Sequence, residues 1–307
     1  DFDSENITNT SFMFYRCNSL TSLNLSTFNT NKVTDMDSMF YQCNSLKNID
    51  LSKFNTANVL NMERLFCACS SLESLDVSTF NTEKVINAKF MFCFCKSLIS
   101  LDLSSFNTKN LENMNSMFNA CDSLTSLDLS NFNTNKVINM GHLFYKCNSL
   151  KDINLSNWNT QNVVDMSFMF YECESLKTLD LSGFNTKKVE NMSFMFHSCK
   201  SLISVNISCF NPQNVNYIER MFYECNSLIS LDLSNFKLYY TNDYAYMFYN
   251  CKSLTSLDIS NFNNKFVIYM GYMFYGCNSL TTIKFPDFVY SGPCLEYIFY
   301  GCNSLMS

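Results

Sequence analysis

Apolar residues recur along this chain in two alternating rhythms. One is short and reads L-x-x-L-x-L, as in Leu20, Leu23 and Leu25, which puts Leu23 and Leu25 on one face of a strand and Asn24 on the other. After a turn at Phe28-Asn29-Thr30 the spacing changes. Val33, Met36, Phe40 and Cys43 lie at i, i+3, i+7 and i+10 with Met39 beside them, which predicts the buried stripe of a short helix or 3₁₀ turn. Asp35, and Asn61, Asn113, Asn139, Asp165 and Asn191 at equivalent places, precede that stripe as an N-cap would. Asn18, Asn44, Asn148, Asn226 and Asn278 follow it, where a left-handed residue would end it. A helix this short has to be held by packing.

The two rhythms together form one repeating unit. Cys17, Cys43, Cys69, Cys95, Cys121, Cys147, Cys173, Cys199, Cys225, Cys251 and Cys277 stand 26 residues apart, and Cys302 follows after 25. The unit is S-L-x-S-L-D-L-S-x-F-N-T-x-x-V-x-N-M-x-x-M-F-Y-x-C-x. About twelve copies run without a linker, which predicts one repeat solenoid over residues 1–307. The expected class is an α/β solenoid, a curved right-handed coil with one parallel sheet and short helices or 3₁₀ turns opposite, the sheet side concave. Two turns deviate. NFKLYYTNDYAYMF puts Thr241 and Tyr244 where Val and Met are expected, and FPDFVYSGPCLEYIF from Phe285 drops one residue. The chain opens inside a unit, Asp1-Phe2-Asp3 matching Asn-Phe-Asn, and stops after Cys302-Asn-Ser-Leu, which reads as a piece of a longer protein.

The repeat accounts for the bias in composition. Phe 30, Tyr 17, Met 17 and Cys 16 are unusual numbers for 307 residues. Most Phe fall in two columns, one from Phe14 and Phe40 to Phe274 and Phe299, the other from Phe28 and Phe54 to Phe288 with Trp158 in one place, as core ladders would. Lys+Arg 21 against Asp+Glu 27 gives a net charge of −6, so there is no basic field to hold nucleic acid or an anionic membrane. With 2 His and 6 Gly, little is left for acid–base chemistry or a phosphate-cradling loop. No stretch is long and apolar enough to span a bilayer. We therefore expect no catalytic residues, no cofactor and no metal. The Tyr-rich turn near Tyr239 is the one break with several polar groups.

Copies such as SLTSLDLSNFNTNKVINMGHLFYKC from Ser123 and SLKTLDLSGFNTKKVENMSFMFHSC from Ser175 resemble the BspA-like leucine-rich-repeat family of microbial surface proteins over the whole chain. One departure is that Phe stands where the usual ladder Asn follows L-x-L, with Asn29, Asn55, Asn81 and Asn107 next door. The resemblance implies a leucine-rich-repeat fold, exposure on the cell surface and, for some members, adhesion to host proteins or other cells. It implies no catalysis.

Four sets of side chains are candidates for function. Ladder Cys, one per turn with parallel side-chain vectors, should be reduced and buried. Cys67 and Cys93 share a column held elsewhere by Tyr15 and Tyr41 and read as exposed neighbours able to bridge. Zinc on Cys67-x-Cys69 and Cys93-x-Cys95 is opposed by the helical phase. Cys209, in a turn column, should react fast with thiol reagents.

The second set is an acidic column between the inward leucines: Asp50, Asp76, Asp102, Asp128, Asp180, Asp232 and Asp258, interrupted by Asn24, Asn154 and Asn206. It reads either as a solvated face or as a groove that attracts a basic ligand segment, with Ser22, Ser74, Ser100, Ser126, Ser204, Ser230 and Ser256 beside it. One carboxylate per turn falls short of a Ca²⁺ site. Third is an outward aromatic stripe, with Phe168, Tyr171, Phe194, Tyr246, Tyr249, Tyr272 and Tyr275 as its partner-binding candidates, placed opposite the core by the helical wheel. The fourth, His142 and His197, reads as surface variants in those outward columns. The function that follows is a non-enzymatic extracellular module for adhesion or protein recognition, binding host or cell-surface proteins. The competing reading is structural self-assembly into a filament or surface layer.

Overall fold

The computed structural model describes residues 4–262, 266–286 and 289–306. Its packing forms two compact units, Asp1–Trp158 and Asn159–Ser307. The first unit contains β1 (Ser126–Asp128) and β2 (Asp152–Asn154). The second contains β3 (Thr178–Asp180), β4 (Ser204–Asn206), β5 (Ser256–Asp258), β6 (Phe266–Tyr269), β7 (Thr282–Lys284) and β8 (Val289–Cys294). All pairs are parallel: β1 with β2, β3 with β4, β5 with β7, and β6 with β8. In the first two the register is one repeat, Leu127 opposite Ile153 and Leu179 opposite Val205. The buried middle residue and exposed flanks of β1, β3, β4 and β5 match the alternation read from L-x-L.

The expected single sheet is instead a series of two-stranded pairs. A second line of parallel pairing runs through single bridges at the Asn column, Asn9 to Asp35, Asn61, Asn87, Asn113 and Asn139 in the first unit. The strands stay short for a local reason. Asp128 ends β1 by accepting the N–H of Ser130 on its own side chain at 3.0 Å, which turns that donor away from any ladder.

The expected helices are absent among the described residues. In the predicted helical stretch, the N–H groups of Met36, Ser38, Phe40 and Gln42 donate to Asn61, Glu63, Leu65 and Cys67 of the following repeat at 3.0, 2.8, 3.0 and 2.8 Å. Those of Met39, Tyr41 and Cys43 donate three residues back at 3.2, 3.1 and 3.2 Å. Beyond its first turn an α-helix would spend these donors on its own backbone, four residues back. The alternation requires left-handed residues at Ser38 (φ 55°) and Gln42 (φ 57°), and the same two positions are left-handed in neighbouring repeats, as at Arg64 and Ala68. The segment is thus a chain of β-turns, stitched at alternate residues to the next repeat. It buries the residues that the helical stripe selected: Val33, Met36, Met39, Phe40 and Cys43 are all at 0% exposure. The left-handed residue lies just before the Cys, at Gln42, and not after it at Asn44.

Inside each unit the Phe column is a stack. Centroid spacings are 5.5, 5.6, 6.0, 5.8 and 5.7 Å from Phe14 to Phe144. They are 5.7, 5.2, 5.6, 5.6 and 5.6 Å from Phe170 to Phe299. These fall in the favourable range for offset rings. Trp158 replaces Phe in the second column and donates its indole N–H to the Leu129 carbonyl at 3.0 Å. Buried Thr of the F-N-T turn ties repeats together. The Thr56 hydroxyl donates to the Asn81 carbonyl at 3.0 Å and accepts the Asn81 N–H at 2.7 Å. The deviating residues Thr241 and Tyr244 are buried, Tyr244 against Phe262 at 5.4 Å, so they serve the core in place of Val and Met. In the second deviating turn, residues 287 and 288 lie outside the described residues, as does Phe288 of the second column.

Candidate functional site

Each repeat changes direction through short polar side chains that cap the backbone two residues on. In one repeat, Asp50 accepts the N–H of Ser52 at 2.9 Å, Asn55 that of Ala57 at 3.0 Å, and Asn61 that of Glu63 at 3.0 Å. These are Asx turns. The Asp35 column was expected to cap a helix. It performs the same hydrogen bonding, Asp35 to the Asp37 N–H at 2.9 Å, with a β-turn behind it.

The acidic column belongs to this set. In the first unit Asp76 holds Ser78, Asp102 holds Ser104 and Asp128 holds Ser130, at 2.9, 2.9 and 3.0 Å. In the second, Asp180, Asp232 and Asp258 hold Ser182, Ser234 and Ser260 at 2.9, 2.9 and 3.0 Å. Asn24, Asn154 and Asn206 do the same with an amide oxygen at 3.0, 3.2 and 3.3 Å. The seven Asp are exposed, and the serine that engages each is the one two residues downstream. Hydrogen bonds from that serine hold Asp50, Asp76, Asp102, Asp128 and Asp180 below the usual carboxylate range. Asp258, with Ser260 and then Lys284 as partners, falls to about 2. These six carboxylates are therefore ionised at neutral pH.

The aromatic stripe condenses in the second unit into two adjacent files. In the first file, Phe168 stacks on Phe194 at 4.5 Å, Tyr246 on Tyr272 at 4.9 Å and Tyr272 on Tyr297 at 5.2 Å. The gap between Phe194 and Tyr246 is filled by Arg220, whose guanidinium lies 5.3 Å from one ring and 4.8 Å from the other. The second file runs Tyr171, His197, Tyr223, Tyr249, Tyr275 and Tyr300 with spacings of 4.5, 4.4, 4.6, 4.8 and 5.0 Å. The files touch crosswise, as between Tyr246 and Tyr249 at 5.8 Å.

Every member of the first file is one of the left-handed residues, φ 53–59° from Phe168 to Tyr297. The files are thus fixed by backbone geometry, not by one face of a helix. The rings are half-buried, with Tyr297 and Tyr300 the most open at 55% and 60% exposure. A depression beside them is lined by Glu172, Glu174, Lys200 and Glu224. In the first unit the same columns carry Phe12, Phe90 and His142 and Tyr15, Tyr41 and Tyr145, with Tyr15 stacked on Tyr41 at 4.9 Å, but Ser38, Arg64, Ser116, Cys67, Cys93 and Asn119 interrupt them, so the rings form no continuous run.

His197 is more than a surface variant. It lies between Tyr171 and Tyr223, and its Nδ1 is buried with no hydrogen-bond partner. Burial, then the charge of Arg220, lowers its pKa to about 4, so the ring is neutral at pH 7. His142 is half-buried and tilted on Tyr145 at 5.5 Å.

The thiols divide into two kinds. From Cys43 onward, ladder Cys donate to the carbonyl of a ladder Phe one repeat earlier, as Cys69 to Phe40 and Cys225 to Phe196, both at 3.1 Å. Burial pushes these thiols up, to about 12 for Cys147 and Cys199. They are free, as the parallel vectors predicted. Cys67 and Cys93 correct the expectation of exposure: they are 6% and 2% exposed, free, and each is the strongest influence on the other's pKa. Cys209 is half-buried and donates to the Leu181 and Phe184 carbonyls at 3.1 and 3.0 Å, which removes the ground for fast reaction. Among the described residues no group of three or more His, Cys, Asp or Glu is placed to hold a metal ion. The left-handed column was overlooked in the sequence, although Asn250, Gly276 and Gly301 stand in it and signal positive φ.

The fold has relatives among solved structures. A leucine-rich repeat protein from Bacteroides ovatus ATCC 8483 is 21% identical, with 96% of this chain and 80% of that chain covered and a TM-score of 0.50, which establishes a leucine-rich-repeat fold. The Treponema pallidum leucine-rich repeat protein matches at 19% identity, covering 64% of this chain and 72% of that one, TM-score 0.35. A leucine-rich cell surface protein from Faecalibacterium prausnitzii A2-165 matches at 15%, covering 90% and 76%, TM-score 0.35. No curated protein matches. The profile of a family described as "Mycoplasma protein of unknown function, DUF285" matches residues 1–100, 65–179, 142–258 and 178–287 in overlapping blocks, and the chain belongs to that family.

Proposed function

We propose that this chain is a non-enzymatic protein-recognition module acting in adhesion or recognition at a microbial cell surface, and that the paired aromatic files of the second unit are its contact face. The observation that carries this reading is the run of rings from Phe168 to Tyr297, with Arg220 closing its gap. Left-handed backbone occurs at these positions in every repeat and belongs to the fold. A continuous run of rings at them is particular to the second unit; in the first, Phe12 and Phe90 are separated by Ser38 and Arg64. Rings locked by stacking lose little side-chain freedom on binding, and a contiguous half-exposed apolar strip is the usual mark of a contact surface. Tyr and Arg are also the residues most often dominant in interfaces.

The acidic column takes a lesser part in this reading. Its carboxylates are committed to Asx turns, and they add a weak, salt-screened attraction for cationic partners. The cell-surface location follows from the resemblance of the repeat to microbial surface proteins. The uninterrupted spacing from Cys147 to Cys173 supports a single solenoid.

Two measurements on the intact chain test the reading. Light scattering should give a monomer, and biosensor binding to a panel of immobilised host-matrix and cell-surface proteins should find at least one partner. A chain that is oligomeric and binds nothing on the panel is a self-assembly module, and the proposal then fails.

A further inference from the structure

The first unit holds one pair of thiols unlike the rest. Cys67 and Cys93 occupy the same column of successive repeats, where Tyr15 and Tyr41 stand in the repeats before. Ladder Cys69 and Cys95 are anchored to the carbonyls of Phe40 and Phe66 at 3.1 and 3.2 Å. Neither Cys67 nor Cys93 donates to a carbonyl in this way; the two thiols are neighbours across one repeat step, and each is the strongest influence on the other's pKa. Both line a surface depression walled by Tyr41, Arg64, Phe90, Phe94 and Lys96. Arg64 lies over the Phe90 ring at 5.1 Å and Lys96 over the Phe94 ring at 5.9 Å, so two cations border the thiols.

We propose that Cys67 and Cys93 form a dithiol–disulfide exchange site that takes small-molecule or protein disulfides as its oxidant and locks the two adjacent repeats together when oxidised. The exchange balances without any further reagent. The Cys67 thiolate attacks one sulfur of the external disulfide, giving a mixed disulfide and releasing one thiolate. Cys93 loses its proton and attacks the Cys67 sulfur, which releases the second thiolate. Two protein thiols and one disulfide become one protein disulfide and two external thiols.

The asymmetry of the pair suits this order. The neighbouring Cys93 thiol, with help from Arg64, lowers the pKa of Cys67 despite its burial, whereas that of Cys93 is raised. The flanking ladder thiols Cys69 and Cys95 are instead committed to carbonyls and closed to solvent. Cys69 and Cys95 are at 0% exposure with strongly raised pKa values.

The test is redox titration of the folded full chain in glutathione buffers, followed by acid quench, alkylation and peptide mass mapping. The expected result is loss of two hydrogens from one linked peptide pair that carries Cys67 and Cys93, with Cys69, Cys95 and Cys121 still alkylatable after unfolding. Cys93→Ser should trap glutathione on Cys67, whereas Cys67→Ser should leave Cys93 unmodified. Trapping should also be at least about tenfold faster than labelling of Cys209 in the same sample. Circular dichroism of each variant checks that it is folded, and wild-type titration stands alone if either is not. Both thiols staying reduced in the fully oxidising buffer, or ladder thiols oxidising at the same midpoint, would overturn the proposal.

Discussion

The Sγ of Cys121 donates to the main-chain carbonyl of Phe92, 3.1 Å away and 29 residues earlier. That carbonyl belongs to the residue whose ring stacks on Phe118 at 5.8 Å, so one residue type in the repeat completes the polar surroundings of the ladder that another builds. A small, weakly polar donor is needed in a place closed to solvent, with Cys121 at 0% exposure. Cys meets that need, which explains a Cys in every turn without any disulfide.

Replacing Cys121 by Ala should therefore cost about 1–2 kcal/mol, the sum of one hydrogen bond and a small void. Urea unfolding followed by circular dichroism would measure it. A loss below about 0.3 kcal/mol would mean that the thiol is only a space filler.

Phe118 has ladder neighbours on both sides, Phe92 at 5.8 Å and Phe144 at 5.7 Å. Phe118→Ala should cost about 3–5 kcal/mol. In hydrogen exchange the loss of protection should be greatest at the repeats next to it, because each repeat packs only on its neighbours. Uniform loosening over residues 4–158 would contradict nearest-neighbour coupling.

The acidic column makes a different claim. Asp102 accepts the Ser104 N–H through Oδ1, and Asn supplies an equivalent oxygen at Asn154 and Asn206. Asp102→Asn should leave the thermal midpoint close to wild type, whereas Asp102→Ala should lower it. Equal midpoints for the two variants would remove the Asx-turn explanation of the column.

How far the sequence revealed these features depends on what each feature writes into it. Burial at Val33, Met36, Phe40 and Cys43 was legible because burial selects apolar residues at fixed spacing. The backbone beneath was not. An i, i+3, i+7 stripe arises from chained β-turns as readily as from a helix, and what separates them is where alternate N–H groups go, which leaves no mark on side-chain type. The two left-handed positions of each repeat tolerate Ser38, Arg64, Phe90 and Tyr246 at the first and Gln42, Ala68 and Phe94 at the second, so only Asn250, Gly276 and Gly301 betray them. Asp–Asn exchange down the acidic column was visible and pointed to a shared acceptor oxygen, a reading that charge alone hides. The stripe candidates from Phe168 to Tyr275 do come together, but Arg220, Tyr223 and His197 join them, and no aromatic count could have placed Arg220 between two rings.

His197 gives a pH test. Its folded pKa of about 4 lies below the ordinary 6.5, so between those values the unfolded chain binds more protons than the folded one. Stability should be intact above about pH 6.5 and fall progressively toward pH 4. His197→Phe keeps a ring in the file and should remove that slope, as read from urea midpoints across the range. An unchanged slope would show that His197 is readily protonated within its stack. The Asp258 carboxylate acts lower. Its contribution is full above about pH 3.9 and disappears as pH falls through about 2, so Asp258→Asn should leave the interval from pH 4 to 6.5 unaffected.

The most direct measurement compares two pairs of substitutions in one binding assay, on whichever panel protein the wild-type chain captures. Tyr246→Ser with Tyr272→Ser opens the first aromatic file while Arg220 and Tyr249 remain, and Asp76→Asn with Asp102→Asn neutralises the strand face while its Asx turns remain. At physiological salt the tyrosine pair should weaken binding by more than about tenfold, and the aspartate pair by less than about twofold, with its effect growing only at low salt. Binding that survives the tyrosine pair and collapses with the aspartate pair would contradict the account and move the contact face to the strands.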